Sequence, residues 1–167
     1  MPIRNAPLEQ RITSRMNKND RIAIVNLHHG LGQCRKDTWE DLGPYFASEN
    51  ISLNLREVST LQSVYRYELT ETVELSLADL ARRIQLKNAV TSQTVTHLVD
   101  KGLMRRVIAD DDRRKVIISL TERGREIAEG IALRADRYLE KYLSVLTDKE
   151  FATFVKLARK LNPGLPY

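Results

Sequence analysis

A chain of 167 residues, 42% hydrophobic and 29% charged, has the composition of a soluble globular protein and room for one domain with a helical extension. No apolar run approaches the roughly 20 residues of a membrane span, the polar start MPIRNAPLEQRITSRMNKND lacks the apolar core of a secretory signal, and the single cysteine, Cys34, excludes an internal disulfide framework, so a cytoplasmic protein without a membrane partner is expected. The net charge of +5 is local: residues 79–125 hold eleven Lys/Arg against six Asp/Glu and the rest sums to zero, which points to one anionic partner surface, nucleic acid before an acidic protein.

Residues 1–19 are polar and aperiodic and read as a mobile N-terminal arm. From Asp20, Ile24, Leu27, Leu31 and Cys34 recur at helical spacing. Gly30 and Gly32 predict a bend or an early end, after which Trp39, Leu42, Tyr45 and Phe46 carry the pattern to about Ala47. A second helix is predicted from about Asn54 to Tyr67, with Leu55, Val58, Leu61 and Tyr65 inward. Ser76 caps a third, whose buried stripe is Leu77, Leu80, Ala81 and Ile84.

The stretch LKNAVTSQTVTHLVDKGL, residues 86–103, predicts a fourth helix with Asn88 as N-cap and Gly102 as its stop. Stepping 100° per residue, Thr91, Thr94, Val95 and Leu98 share the buried face. Ala89, Ser92, Gln93 and Thr96 lie opposite, with His97 at the edge. A solvated face would carry Lys and Glu. This one is short, uncharged and rich in hydrogen-bonding groups, as close approach to base edges in a major groove requires.

MRRVIADDDRRKVIISL follows as a strand over 104–108, a charged tip, and an alternating strand over 115–120. Two helices and a hairpin beside the second make a winged helix-turn-helix, mainly α with a small β wing. In that arrangement Arg113 and Arg114 enter a narrow minor groove, with aspartates at the tip to orient them. Thr121 caps a long helix to about Leu143, with Ile127, Ile131, Tyr138, Leu139 and Tyr142 apolar. A last helix carries Phe151, Phe154, Val155, Ala158 and Leu161 up to Asn162-Pro163-Gly164. One small module cannot cover both this stripe and that of the first helix, so a partner copy is expected to bury them. The chain divides into residues 20–50, an N-terminal dimerisation helix region; 51–121, the winged helix-turn-helix; and 122–167, C-terminal dimerisation helices.

From about Leu53 to Glu129 the sequence resembles the MarR family of winged helix-turn-helix transcriptional regulators. SLADLARRIQL, the segment ending LVDKGL, and DDDRRKVIISLTERGRE carry the resemblance in order. It implies a homodimer on double-stranded DNA at an inverted-repeat operator, repression by default, and release by a small aromatic or apolar effector. Position by position, Arg114 matches the minor-groove arginine with Arg113 beside it, and Asp110 and Asp112 match the acids that brace it. Ser92, Gln93 and Thr96 match base-contacting positions, and Lys87 and Asn88 the phosphate-facing start. Thr91 and Thr94 replace larger aliphatics, and their hydroxyls can bond carbonyls one turn back.

The effector is less defined. Trp39, Tyr45, Phe46, Tyr65 and Tyr67 are candidates to line a pocket, with Arg66 or His28 to meet a carboxylate. Cys34 is a redox candidate, because one branch of the family senses hydroperoxides through an N-terminal cysteine. It lies on an apolar stripe, however, where thiols are mostly packing. His28, His29 and His97 make a thin metal-ligand set, so no metal and no cofactor are expected. Without a glycine-rich phosphate loop, nucleophile elbow or metal motif, the chain reads as no enzyme. Redox or metal response, or a protein-binding winged helix, are the alternatives.

Overall fold

The computed structural model describes residues 16–109 and 115–161. The expected arm at 1–19 lies outside them except for its last four residues, and Asp110, Asp112, Arg113 and Arg114 lie outside them entirely. The described chain forms α1 (Lys18–Ser48), α2 (Leu55–Thr70), β1 (Leu75–Ser76), α3 (Leu77–Arg83), α4 (Asn88–Asp100), β2 (Met104–Ile108), β3 (Val116–Leu120), α5 (Glu122–Leu143) and α6 (Asp148–Leu161). The fold is mainly helical, with a small antiparallel sheet of order β1-β3-β2. No helix among the described residues is long and apolar enough to cross a membrane.

Helix α1 starts two residues earlier than expected, because Asn17 and Asp20 form a reciprocal capping box. It also runs unbroken through Gly30 and Gly32, against the predicted bend. The reason at Gly30 is packing: a methyl group there would overlap the hydroxyl of Tyr142 on α5. A matching seat exists on α5, where a methyl at Gly130 would overlap the hydroxyl of Tyr45 on α1. The glycines therefore serve close approach of two helices.

Helix α2 is capped by Asn54 with Glu57 and extends three residues past the predicted end. Leu55, expected inward, is 58% exposed. As the first helical residue its side chain tilts toward the N-terminus, beyond the edge of the core. Val58 and Leu61, also expected inward, fill the core with Val64, Leu80 of α3, Val95 and Leu98 of α4, Ile118 and Leu120 of β3, and Ile127 and Ile131 of α5. The predicted inner face of α4 is the observed one: Thr91, Thr94, Val95 and Leu98 are all buried. Thr91 Oγ1 donates to Lys87 O at 3.2 Å and Thr94 Oγ1 to Val90 O at 3.0 Å, which satisfies both hydroxyls locally. Lys87, not Asn88, is the N-cap of α4, and it makes no side-chain capping bond.

Strand β1 has no counterpart in the sequence reading. Leu75 pairs with Ile118 and Ser76 with Ile117, while Ser76 also caps α3 by accepting from the Asp79 N–H at 3.1 Å. The hairpin matches its prediction closely, with Arg106 opposite Ile118 and Ile108 opposite Val116.

Three elements meet just past α4. Gly102 takes φ +70°, the left-handed value that glycine accepts without cost. Its N–H donates to Val99 O at 2.8 Å and the Leu103 N–H donates to Leu98 O at 2.9 Å, a Schellman stop. Thr121 donates from its N–H to Leu103 O at 3.1 Å and from Oγ1 to Gly102 O at 2.7 Å. The same Oγ1 accepts from the Gly124 N–H at 2.9 Å, capping α5. A Cβ at Gly124 would collide with the Leu103 carbonyl oxygen, which is backbone and cannot swing aside. The Leu-Thr-x-x-Gly string of the sequence is this junction.

Buried and half-buried polar groups of α2 hold the surrounding elements in place. Glu57, 3% exposed, accepts from Lys101 Nζ at 2.7 Å and from the Asn54 N–H at 2.8 Å. Gln62 Nε2 donates to Ala128 O on α5 at 2.6 Å. Glu68 accepts from the Leu120 N–H at 2.8 Å and pairs with Arg125 at 2.7 Å. Burial pushes the Glu57 carboxyl pKa up, but the Lys101 hydrogen bond, the Asn54 N–H and the charges of Lys101 and His97 outweigh it, so the net shift is below 4.5.

Gly124→Ala should destabilise the protein by about 1–3 kcal/mol, the usual cost of overpacking a site that cannot relax. Chemical denaturation at fixed protein concentration reads this, and an unchanged midpoint would contradict the close approach. A carboxyl with a depressed folded pKa stabilises above its unfolded pKa and loses that contribution as pH falls through the folded value. Stability should therefore decline below about pH 4.5 in part through Glu57, and Glu57→Gln should flatten that limb of a pH–stability curve. An acid limb identical to that of the parent would show that Glu57 contributes nothing there.

Candidate nucleic-acid interface

Helix α4 presents the face that its sequence predicts. Gln93, Thr96 and Ala89 are exposed and Ser92 is half-buried. Thr96 Oγ1 donates back to Ser92 O at 3.0 Å, which leaves its lone pairs outward. Gln93 has no hydrogen bond to a described residue, so both ends of its amide are available. Lys87 and Asn88 are exposed at the start of the helix.

His97 stands at the edge of this face, 52% exposed, with Nδ1 4.0 Å from the Glu57 carboxylate. Lys101, one turn on, donates to both Glu57 and Ser52 O, each at 2.7 Å. The C-terminal end of α4 is thereby tied to the start of α2, while its N-terminal half stays open.

The sequence reading missed Arg106. Its Nη1 donates to Ser92 Oγ at 3.4 Å, so a β2 cation lies against the outward face of α4. Arg105 precedes it, also exposed. The signal is the pair of adjacent arginines in MRRVI, but a strand assignment alone does not say which helix the strand lies beside. The arginines expected at the wing tip, Arg113 and Arg114, lie outside the described residues.

The proposed effector-pocket residues do not converge. Phe46 is 7% exposed and belongs to the core. Tyr45 packs on α5 under Arg134, whose guanidinium sits 3.8 Å from the ring centroid. Burial first, then the Glu49 charge, raises the Tyr45 pKa. Tyr65 packs against the core, and burial raises its pKa as well. Trp39 is 39% exposed, and His28 is exposed 6.1 Å from His29, centroid to centroid. Arg66 lies on α2 and is exposed. Cys34 is half-buried, its Sγ 3.7 Å from Tyr138 O. It lines a largely apolar groove of about 720 Å³ with Leu27, Tyr138, Tyr142 and Phe154. Among the described residues no group of three or more His, Cys, Asp and Glu is placed to hold a metal ion.

Comparison with known proteins places this geometry. Residues 53–116 match the model of the MarR family. Among relatives, the HTH-type transcriptional regulator YwhA of Bacillus subtilis is 28% identical over 101 residues, covering 60% of this chain and 69% of that one. The HTH-type transcriptional repressor MdtR of the same organism is 26% identical over 110 residues, 66% and 71% of the two chains. A MarR family protein from Bacillus stearothermophilus superposes with TM-score 0.67 at 23% identity, over 89% of this chain and 96% of that one. The S. aureus MepR–DNA complex gives TM-score 0.62 at 17% identity, over 90% and 100%. Over residues 53–116 the chain matches the MarR family, and relatives that are HTH-type transcriptional regulators agree with that match.

Proposed function

We propose that the chain is a sequence-specific double-stranded DNA-binding regulator, acting in the cytoplasm as a homodimer on an inverted-repeat operator, repressing transcription and released by a small-molecule effector. The observation that carries this reading is the outward face of α4: Ser92, Gln93 and Thr96, short and uncharged, flanked by Lys87 and Arg106. Such a face lets a helix backbone approach base edges, while the flanking cations neutralise phosphates. The open, uncapped start of α4 adds amide donors and a positive dipole end beside Lys87. Arg113 and Arg114 are assigned to the minor groove by resemblance, braced by Asp110 and Asp112. The MepR complex supports DNA binding in general, being a protein of this fold solved with DNA.

The dimer reading rests on uncovered apolar faces. No residue of α6 is buried, and Phe151, Leu157 and Leu161 are 46%, 52% and 79% exposed. On α1, Ile22, Ile24 and Val25 are 48%, 52% and 47% exposed. Ile24 of the predicted α1 stripe and Phe151 and Leu161 of the α6 stripe are among these uncovered residues, which supports a second copy as what covers them. Two copies also set two α4 helices one DNA turn apart. Effector release would be a population shift, the ligand favouring dimers with mis-spaced α4 helices.

The deciding experiment is an anisotropy titration of the dimer on the promoter region beside its own gene. Affinity should fall steeply between about 50 and 200 mM salt through counterion release. Weak binding, equal for every duplex, would overturn the reading in favour of a protein-binding winged helix. Gln93→Ala should cost about 1–3 kcal/mol of discrimination at one base pair. Arg106→Ala should instead weaken all duplexes alike and reduce the salt slope by about one. Swapped phenotypes would sink both roles. Phe151→Glu should give monomers in sedimentation, and an unchanged dimer would remove α6 from the interface.

A further inference from the structure

A groove of about 620 Å³ opens between the C-terminal end of α2, the segment 71–75 and the β2–β3 hairpin. Leu75 and Ile118 line it where it meets the core. No lysine, arginine or histidine lines it, although residues 79–125 hold eleven Lys/Arg against six Asp/Glu. The groove is thus an acidic and apolar inlet in a basic lobe.

Two of its features lack compensation. Val73, Val107 and Ile108 are 68%, 59% and 59% exposed, so aliphatic side chains from two separate segments stay wet around one concavity. Glu71 and Glu74 are also exposed, and among the described residues their carboxylates have no ion pair or hydrogen bond. Glu68, the third acid of the groove, is already met by Arg125 and the Leu120 N–H and needs nothing further. Scattered aliphatics and acids are ordinary on a surface. Their convergence on one groove asks for an occupant that is both apolar and cationic.

We propose that this groove docks a basic, extended segment of a partner protein, with apolar side chains against Val73, Val107 and Ile108 and two cations on Glu71 and Glu74. Duplex DNA is repelled by the two free carboxylates. A compact cation meets one carboxylate and leaves the aliphatics wet. Glu71 is itself extended, at φ −123° and ψ 142°, and Glu74 follows three residues on, with Cα atoms at most roughly 11 Å apart. A peptide chain with interleaved Lys or Arg and apolar residues spans that interval, and the long basic stems lie along aliphatic walls while their heads reach the acids. The segment would lie against the hairpin, whose base is closed by the Ala109 N–H donating to Lys115 O at 2.9 Å. An influence on operator binding rests on the regulator reading; docking itself does not.

The test is fluorescence anisotropy of a labelled peptide, Lys-Val-Lys-Val-Lys-Val-Lys, titrated with the full chain in the absence of DNA. The net positive charge of the chain opposes general attraction of this peptide, so saturable binding reports on the acidic groove. Two control peptides, one with Glu for each Lys and one with Ser for each Val, should bind at least about tenfold more weakly. Glu71→Gln combined with Glu74→Gln, both at exposed positions, should weaken binding about tenfold, the loss of two exposed ion pairs. Glu140→Gln, an exposed acid of α5 that does not line the groove, should leave it unchanged. No saturable binding of the basic peptide, equal binding of the Glu peptide, or binding unaltered in the double variant overturns the proposal. So does a double variant that changes the mass of the chain in sedimentation, because the occupant is then a second copy. Because DNA is absent, a chain that fails the operator titration still reports on this groove.

Discussion

Two carbonyl oxygens, those of Gly102 and Leu103, organise the molecule. Thr121 captures both, and Gly124 leaves room for the second by having no side chain. At that point α4 ends, β2 begins, β3 has just ended and α5 starts. Four chain directions are thus set by one small group of backbone contacts, each worth about 1 kcal/mol as a hydrogen bond but jointly hard to shear. A helix that faces outward needs a rigid reference, and here the reference is the first turn of the helix that leads away from the lobe. The partly exposed pair Arg123–Glu49, at 2.7 Å, adds a tie to the end of α1 but is worth little by comparison.

Helix α2 supplies the second constraint, through polar atoms. Glu57 reaches α4 by way of Lys101, Gln62 reaches the backbone of α5, and Glu68 reaches β3 and α5. A purely apolar contact tolerates sliding, because dispersion and hydrophobic burial have no direction. Three hydrogen-bonded anchors along one helix do not. The apolar core gives the lobe its stability, and these anchors give it one arrangement.

Much of this was legible in the sequence because periodicity reports which face is buried. The inner face of α4, the β3 alternation, the Ser76 and Thr121 caps and the Gly102 stop all follow from local spacing. What spacing cannot report is the identity of a partner. Glu57 and Gln62 look like surface residues until the backbone groups they satisfy are known. Gly30 looks like a helix breaker until Tyr142 is placed against it. Strand β1 is two residues long, too short to have a period, and it exists only because β3 is adjacent. The outward face of α4 was read from composition, yet Arg106 belongs to it by proximity across a hairpin. The apolar stripes of α1 and α6 remain largely uncovered among the described residues, and spacing alone does not say what covers them.

The two glycine–tyrosine seats between α1 and α5 have a mechanical meaning. Tyr142 of α5 sits on Gly30 of α1, and Tyr45 of α1 sits on Gly130 of α5, so the helices run antiparallel with one socket on each. The sockets are separated by four turns on α1 and more than three on α5, a span of roughly 20 Å at 1.5 Å per residue. Sliding one helix by a turn would bring each ring against a position that carries a side chain: Asn26, Leu27, Gln33 or Cys34 on one rod, and Glu126, Ile127, Leu133 or Arg134 on the other. Neither ring can shift without the other. The pair therefore behaves as a keyed beam, able to tilt as a whole but not to telescope, and its lower end is bolted at Thr121 to the helix that faces outward.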